Sequence, residues 1–437
     1  MRPPGSDPRH RHLLTLHKYL LNTFPLIHAK LQLEKPDQFA LLYTWPGKDL
    51  TLKPIVLMAH QDVVPVNPET INKWDHPPFG GVQDSEGFIW GLIAIFAASE
   101  KLLADSFEPT RTIIFSFGFN EETAGPRPLA PAILERYGPN GVGFILDEST
   151  TSVTEAYNAS FARVSVTEKG QFSLGLSVVT SGGHASVPPA HTGIGLLALL
   201  LVELEKNRAP PSLENNPYLN YLACAADYGD VDESFKRQVR DPRQWAGLAQ
   251  ELAKDDTIRA YLGTTQAIDL FHAGVKINAL PEIATAGINY RLSFSSDVVT
   301  EFARITSILG PVVESLDLKF SVNGSDPGAG YNFAQLSILG SHESAPTSPS
   351  HGKPWEILAG TIRHVFTDDT VVVPVGMIDT DTGAFWDVSD NIYRFTPAHD
   401  DQLFNKHTVN ERIHVDAHLD AIHFYHQLIQ NTETWTS

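Results

Sequence analysis

Cysteine is almost absent: Cys224 is the only one among 437 residues. A single thiol, most often a small core residue, excludes an internal disulfide framework and a cysteine zinc cluster. Any metal must then be held by histidine and carboxylate side chains. Positive charge is also short, with 32 Lys and Arg against 51 Asp and Glu and a formal net charge of −19. A field of that sign repels phosphate backbones and anionic lipid surfaces, so nucleic acid is not an expected partner. No stretch reaches the ~18 apolar residues of a membrane span. Met1 is followed by Arg, Pro and polar residues instead of an apolar signal core. From His10 the chain is already in an amphipathic helix leading into a strand, which leaves room for an upstream piece outside this sequence.

What is present is the balance of a globular protein, 42% hydrophobic and 19% charged, with length for one large or two ordinary domains. Short apolar runs at Leu41–Tyr43, Pro54–His60, Thr112–Phe117 and Gly143–Leu146 alternate with helical patterns and end in polar residues. Leu92, Ile95, Phe96, Ser99, Leu102 and Leu103 share one face of a helix expected over Leu92–Asp105. The fold class expected is α/β, with a mostly parallel sheet buried on both faces.

From about residue 163 the texture changes. Arg163–Thr167 and Ser173–Thr180 read as half-exposed strands, and Gly182-Gly183-His184 and Pro188-Pro189 interrupt the chain before a helix over Ile194–Lys206. Val275–Ile277 and Thr285–Leu292 read as a strand pair, Val298–Glu314 as a helix, and Asp326–Lys353, rich in Gly, Ser and Pro, as a linker. Residues 354–437 return to the first texture and close with a helix over Asp416–Gln430. The expected organisation is a catalytic domain in two parts, 1–162 and 326–437, interrupted by a smaller α+β domain, 163–325.

Several acids and histidines follow apolar strands directly, where ligands gather in open α/β sheets. His60 and Asp62 form His-x-Asp at one strand end. Alone this pattern is usually bland, but a metal-binding imidazole oriented by a carboxylate would use it. Glu121 and Glu122 follow the next strand; adjacent glutamates are common on surfaces, yet one can bind metal while the other accepts a proton from water. Asp147 ends a third run and by itself reads as a helix cap. His407 is one of 18 histidines and gains weight only from the conjunction. Imidazole and oxygen donors are the set expected for zinc in a protein without cysteine to spare.

At these residues the chain resembles the M20 family of metallopeptidases, and within it the fungal carboxypeptidase S (Gly-Xaa carboxypeptidase) branch. The resemblance runs from about His10 to Thr432. It is carried by Ala59-His60-Gln61-Asp62-Val63-Val64-Pro65-Val66, Trp74 with Pro77-Pro78-Phe79, Glu121-Glu122-Thr123-Ala124-Gly125, Leu146-Asp147-Glu148, Glu168-Lys169-Gly170, Gly182-Gly183-His184-Ala185-Ser186, Asn278-Ala279-Leu280-Pro281, Ile392-Tyr393-Arg394-Phe395 and His407 to Arg412. It implies two zinc ions per subunit, His60 and Asp147 holding one, Glu122 and His407 the other. Asp62 would orient His60, and Glu121 would accept the proton of the attacking water. It implies further that the inserted domain is a lid and dimerisation domain of a homodimer. His184 would reach across to the partner subunit's site, and Asn278 and Arg291 would bind the C-terminal side of the peptide. The branch looks vacuolar.

One departure stands out. Family members continue Gly87-Phe88-Ile89-Trp90-Gly91 with Arg-Gly-x-x-Asp-Asp/Cys-Lys, whose first Asp bridges the metals; here Gly91 runs straight into Leu92. A skipped exon would produce this, and so would real loss. Two dications ~3.7 Å apart repel by on the order of 18 kcal/mol at an effective dielectric of about 20. Glu122, Asp147 and one hydroxide leave the anion count one short. Tight binding of one metal at most is expected, with Glu86 and Glu100 as weak candidates to replace the missing acid. The implied activity is zinc-dependent release of a C-terminal amino acid from short peptides. The alternatives are a non-catalytic homodimeric binding relative and an N-acyl amino acid hydrolase or synthase.

Overall fold

The computed structural model describes residues 11–85, 87–89, 94–122, 127–326, 330–378 and 380–436. The Gly91–Leu92 junction, Glu86 and Thr123-Ala124-Gly125 lie outside the described residues. The chain divides into two compact units, one of residues 1–167, 220–232 and 346–437, the other of residues 168–219 and 233–345.

The first unit is built on a nine-stranded sheet. Its order along the main path is 32–34, 41–45, 113–118, 55–60, 144–147, 392–394, 159–168, 371–377, with 153–156 paired to 159–168. The central strands 113–118, 55–60, 144–147 and 392–394 run parallel, and antiparallel neighbours flank them. Period-two alternation explains how one strand serves two cores. Ile55 and Leu57 pack on one face with the helices Ala94–Ala104, Lys353–Val365 and Val415–Asn431, through Phe96, Leu102, Ile362, Phe424 and Leu428. Val56 and Met58 pack on the other with the helix Leu129–Tyr137, through Leu129, Ala130 and Ile133. Each such fully buried side chain stabilises by roughly 1.5–3 kcal/mol. The helix expected after the gap is present as Ala94–Ala104, and Phe96 meets Phe24, Tyr43 and Phe117 edge-on at 5.2 Å.

Glu100 has a different task from the one considered for it. Its carboxylate accepts the backbone N–H of Leu26 at 2.8 Å and of Ile27 at 2.9 Å, closing the first turn of the helix Pro25–Lys30, where an anion is favoured.

The second unit is a five-stranded sheet, ordered 265–273, 283–291, 171–179, 333–342, 319–322 and antiparallel except for its last pair. The helices Gly193–Lys206 and Val298–Ser315 cover the face that carries Phe172, Leu174, Leu176 and Val178. The structure corrects three expectations from the sequence. The partner of Ile283–Arg291 is Thr265–Ala273 instead of Val275–Ile277; Val275 and Ile277 are fully exposed in the connection, β-branched residues with no strand to pair. The stretch read as a linker contains the ten-residue strand Phe333–His342, paired along Gln171–Val179. Its buried Ala334 and Leu336 alternate with the half-buried Phe333, Gln335 and Ser337, a short pattern masked by the Gly, Ser and Pro around it. Arg163–Thr167, expected half exposed, belongs to the strand Ala159–Glu168, of which only Ala159, Ser160 and Arg163 are not buried.

Candidate metal centre

Three neighbouring parallel strands, 113–118, 55–60 and 144–147, deliver their C-terminal ends side by side. His60 is the last residue of the middle one, Glu121 and Glu122 follow the first, and Asp147 ends the third. A parallel arrangement therefore gathers residues that are far apart in the chain.

Asp62 ties the first two together. One carboxylate oxygen lies 3.3 Å from His60 Nδ1 and accepts the Glu121 N–H at 3.2 Å, while the other accepts the Glu122 N–H at 3.0 Å. His60, Glu121 and Glu122 each offer a ligand atom, and these atoms all lie within 4.8 Å of one another. On the other side of the ring, His60 Nε2 is 2.9 Å from Glu148 Oε1. His407 Nε2 is 3.5 Å from Glu122 Oε1. His407 sits in a turn with positive φ at Asn405, His407 and Asn410, residue types that enter this region more readily than other non-glycine residues. Asp147 is buried at 3% exposure, one residue ahead of Glu148.

The electrostatics follow from this crowding. Burial disfavours the charged His60 imidazole, but hydrogen bonds to Asp62 and Glu148 and the fields of Glu148 and Glu121 outweigh it and push the ring up to about 12. Burial raises Asp62, yet its bond to His60, that ring's charge and the Glu122 N–H bring it below the usual carboxylate range. Glu122 is raised, first by burial and then by the like charges of Asp62 and Glu148, against the pull of His407 and His60. One imidazole among four carboxylates, Asp62, Glu121, Glu122 and Glu148, makes an acidic cluster that favours a cation. A divalent ion would suit this environment and would take the place of the ring proton on His60. Imidazole nitrogen with carboxylate oxygen is a donor set that zinc accepts, so the residues fit a metal.

A cavity of about 790 Å³ opens over these groups. One wall is acidic, with His60, Asp62, Glu121, Glu122 and Glu148; Ser149, Thr150, Thr380 and Thr396 add hydroxyls, and Val63, Val66, Trp74, Phe79, Leu403 and Phe404 form an apolar flank. Lys406 and Arg412 line it from the His407 loop. Glu148 and Arg412 were quoted within motifs of the resemblance, but neither they nor Lys406 were assigned a role from sequence. Glu148 lines the cavity beside His60, whereas Asp147, the preceding residue, is not among the described residues that line it.

The remaining expected site residues lie in the second unit. His184 and Asn278 are exposed and adjacent: the ribbon Gly183–His184 pairs with Ala279–Leu280, and Ala185 N donates to Asn278 O at 3.3 Å. Ser186 Oγ is 2.7 Å from His184 Nδ1. Arg291 ends the strand Ile283–Arg291, roughly 26 Å from its beginning at 3.3 Å per residue. Within one copy, Arg291 is therefore remote from the His184–Asn278 pair.

Residues 56–431 match Peptidase family M20/M25/M40. The chain is 39% identical over 465 residues to carboxypeptidase S of Saccharomyces cerevisiae, covering 99% of this chain and 81% of that protein. It is 30% identical over 443 residues to the N-fatty-acyl-amino acid synthase/hydrolase PM20D1 of Mus musculus, covering 96% and 82%. Among solved structures, the fold resembles the M20 family metallo-carboxypeptidase Sso-CP2 from Sulfolobus solfataricus (TM-score 0.65, 15% identity, 97% and 94% of the two chains). It also resembles human carnosine dipeptidase 1 (TM-score 0.66, 13% identity, 99% and 93%). With a carboxylate–histidine centre at the strand ends and a family match over most of its length, this chain belongs to the M20/M25/M40 peptidases and is a metallopeptidase of that family.

Proposed function

We propose that the chain is a zinc-dependent carboxypeptidase that releases the C-terminal residue of short Gly-Xaa peptides. The observation that carries this reading is the Asp62 carboxylate, which holds His60 and the Glu121–Glu122 backbone in one cluster of donors. His60 with Asp147 and Glu122 with His407 would hold the metal. When bound, a divalent ion supplies Lewis-acid polarisation of the scissile carbonyl and a more acidic water.

The rest is work for the chain's own groups. Asp62 fixes the orientation of His60, so the ring would be ready to hold an ion without reorienting. Glu121 accepts the proton of the attacking water and passes it to the departing amine, so the amide C–N bond breaks as a C–O bond forms. His184 of a second copy, Asn278 and Arg291 would bind the peptide. Their separation within one copy supports a homodimer in which different subunits complete one site. Expected metal content is one tightly held zinc and a weaker second. The vacuolar compartment is carried by similarity to the carboxypeptidase S branch alone, and fractionation tests it.

Incubating the chain with Zn²⁺ and an N-blocked Gly-Xaa dipeptide tests the activity. Release of the C-terminal amino acid, reduced at least ~100-fold in Glu121→Gln, is expected. Equal rates for the two would leave the non-catalytic homodimeric binding relative as the better reading. Translating the genomic DNA around the Gly91 and Leu92 codons shows whether an Arg-Gly-x-x-Asp-Asp-Lys segment was spliced out.

A second reading, hydrolysis or synthesis of N-acyl amino acids, is supported by the apolar flank of the cavity. It predicts kcat/KM that rises with acyl-chain length; flat or falling values favour the peptide substrate.

A further inference from the structure

Between the two site residues His60 and Asp62 stands Gln61, whose side chain leaves on the opposite side, as alternation requires. Its carboxamide is fully engaged. Nε2 donates to Phe39 O and to Phe117 O, each at 3.0 Å, and Oε1 lies 2.8 Å from His17 Nε2. With both Nε2 neighbours carbonyl oxygens, the amide has one allowed orientation. His17 is fixed in the same way: Oε1 only accepts, so Nε2 carries the proton, and Nδ1 accepts from the Lys35 ammonium at 2.9 Å.

These bonds reach unusually far. Phe117 lies on the adjacent strand Ile113–Gly118, Phe39 precedes the strand Leu41–Trp45 one further out, and His17 sits on the helix Arg11–Thr23. The Gln61 backbone N–H donates to Gly118 O at 2.9 Å, extending the ladder one residue past His60. A single side chain therefore cross-links three strand ends and a helix, at the point where the chain turns out of the sheet and its two flanking side chains enter the cavity.

The geometry points to Gln61, backed by His17, as a positioning residue of the metal centre: its carboxamide sets the direction in which His60 and Asp62 project and, through Asp62, the placement of Glu121 and Glu122. The inference rests on the metallopeptidase reading above. A residue that merely stabilised the fold would lower the melting temperature without a matching loss of metal affinity, whereas outer partners of metal ligands typically change affinity 10–100-fold.

The test is zinc affinity, measured by chelator competition on the full chain, for the unsubstituted protein, Gln61→Leu, His17→Phe and His17→Gln. Expected are a 10–100-fold loss for Gln61→Leu, a smaller loss for His17→Phe, and recovery in His17→Gln, whose amide N–H can replace the ring donor. Kinetically, kcat should fall more than KM changes. Unchanged zinc affinity in Gln61→Leu, with only its melting temperature lowered, overturns the proposal and leaves the metal reading intact. Absence of zinc binding in the unsubstituted chain overturns both. If Gln61→Leu does not fold, the His17 pair decides: loss and recovery support the role, and equal affinity in both variants and the unsubstituted chain refutes it.

Discussion

The Asp62 carboxylate accepts the backbone N–H of Glu122 at 3.0 Å, joining the end of one parallel strand to the loop after its neighbour. Its second oxygen serves Glu121 N–H and faces His60. Asn in this position keeps the size but turns an NH₂ toward a backbone N–H. Asp62→Asn is expected to weaken zinc binding 10–100-fold and to reduce turnover by a comparable factor. Chelator competition beside a peptide-release assay measures both; tight zinc binding in the variant would show that the clamp is dispensable.

Glu121 and Glu122 are neighbours with different expected tasks. Glu121→Gln should retain zinc and lose ~10²–10⁴ of the rate, while Glu122→Gln should lose zinc itself. Metal analysis after desalting distinguishes them, and zinc loss from both variants would reduce the pair to one shared ligand role.

The charge count over the site gives a stoichiometric prediction. Without the bridging acid, titration should yield one tight zinc per chain and a second bound at least ~100-fold more weakly, equivalent to about 2.7 kcal/mol. Two equally tight ions would mean that other groups, with Glu148 beside His60 Nε2 the nearest, supply the missing negative charge.

Lys169 offers a test in the second unit. It is fully buried, with Nζ donating to Ala260 O at 2.6 Å and Gly263 O at 2.5 Å. Burial, then the charge of Arg291, lowers it to about 7 from its usual 10.5. Between those values the unfolded chain binds more protons than the folded one, so this group's contribution to stability rises with pH across that window and is least below it. The slope is at most about 1.4 kcal/mol per pH unit. Denaturant unfolding at pH 7, 8.5 and 10 should show a steeper rise for the unsubstituted chain than for Lys169→Met; parallel curves would show that Lys169 stays charged when folded.

Much of the fold was legible in local pattern. Runs of apolar residues ending in His60, Phe117 and Leu146 announced parallel strands, and the helices Ala94–Ala104, Gly193–Lys206, Val298–Ser315 and Val415–Asn431 lie where apolar spacing placed them. The strand Phe333–His342 was hidden because it lies in a Gly-, Ser- and Pro-rich stretch and is fixed by backbone pairing to Gln171–Val179 and Lys319–Val322, which composition does not record. Gln61 was invisible as a positioning group for a related reason: its partners Phe39, Phe117 and His17 are 22, 56 and 44 residues away.

By itself the order of residues determined the family, the α/β alternation and the types of donor at the centre, because periodicity and motif are local properties of a chain. Only the tertiary structure decided which donors meet. Proximity across strands depends on sheet order and register, and so Asp62 reaches Glu122, Glu148 reaches His60, and Arg291 stands a full strand away from Asn278.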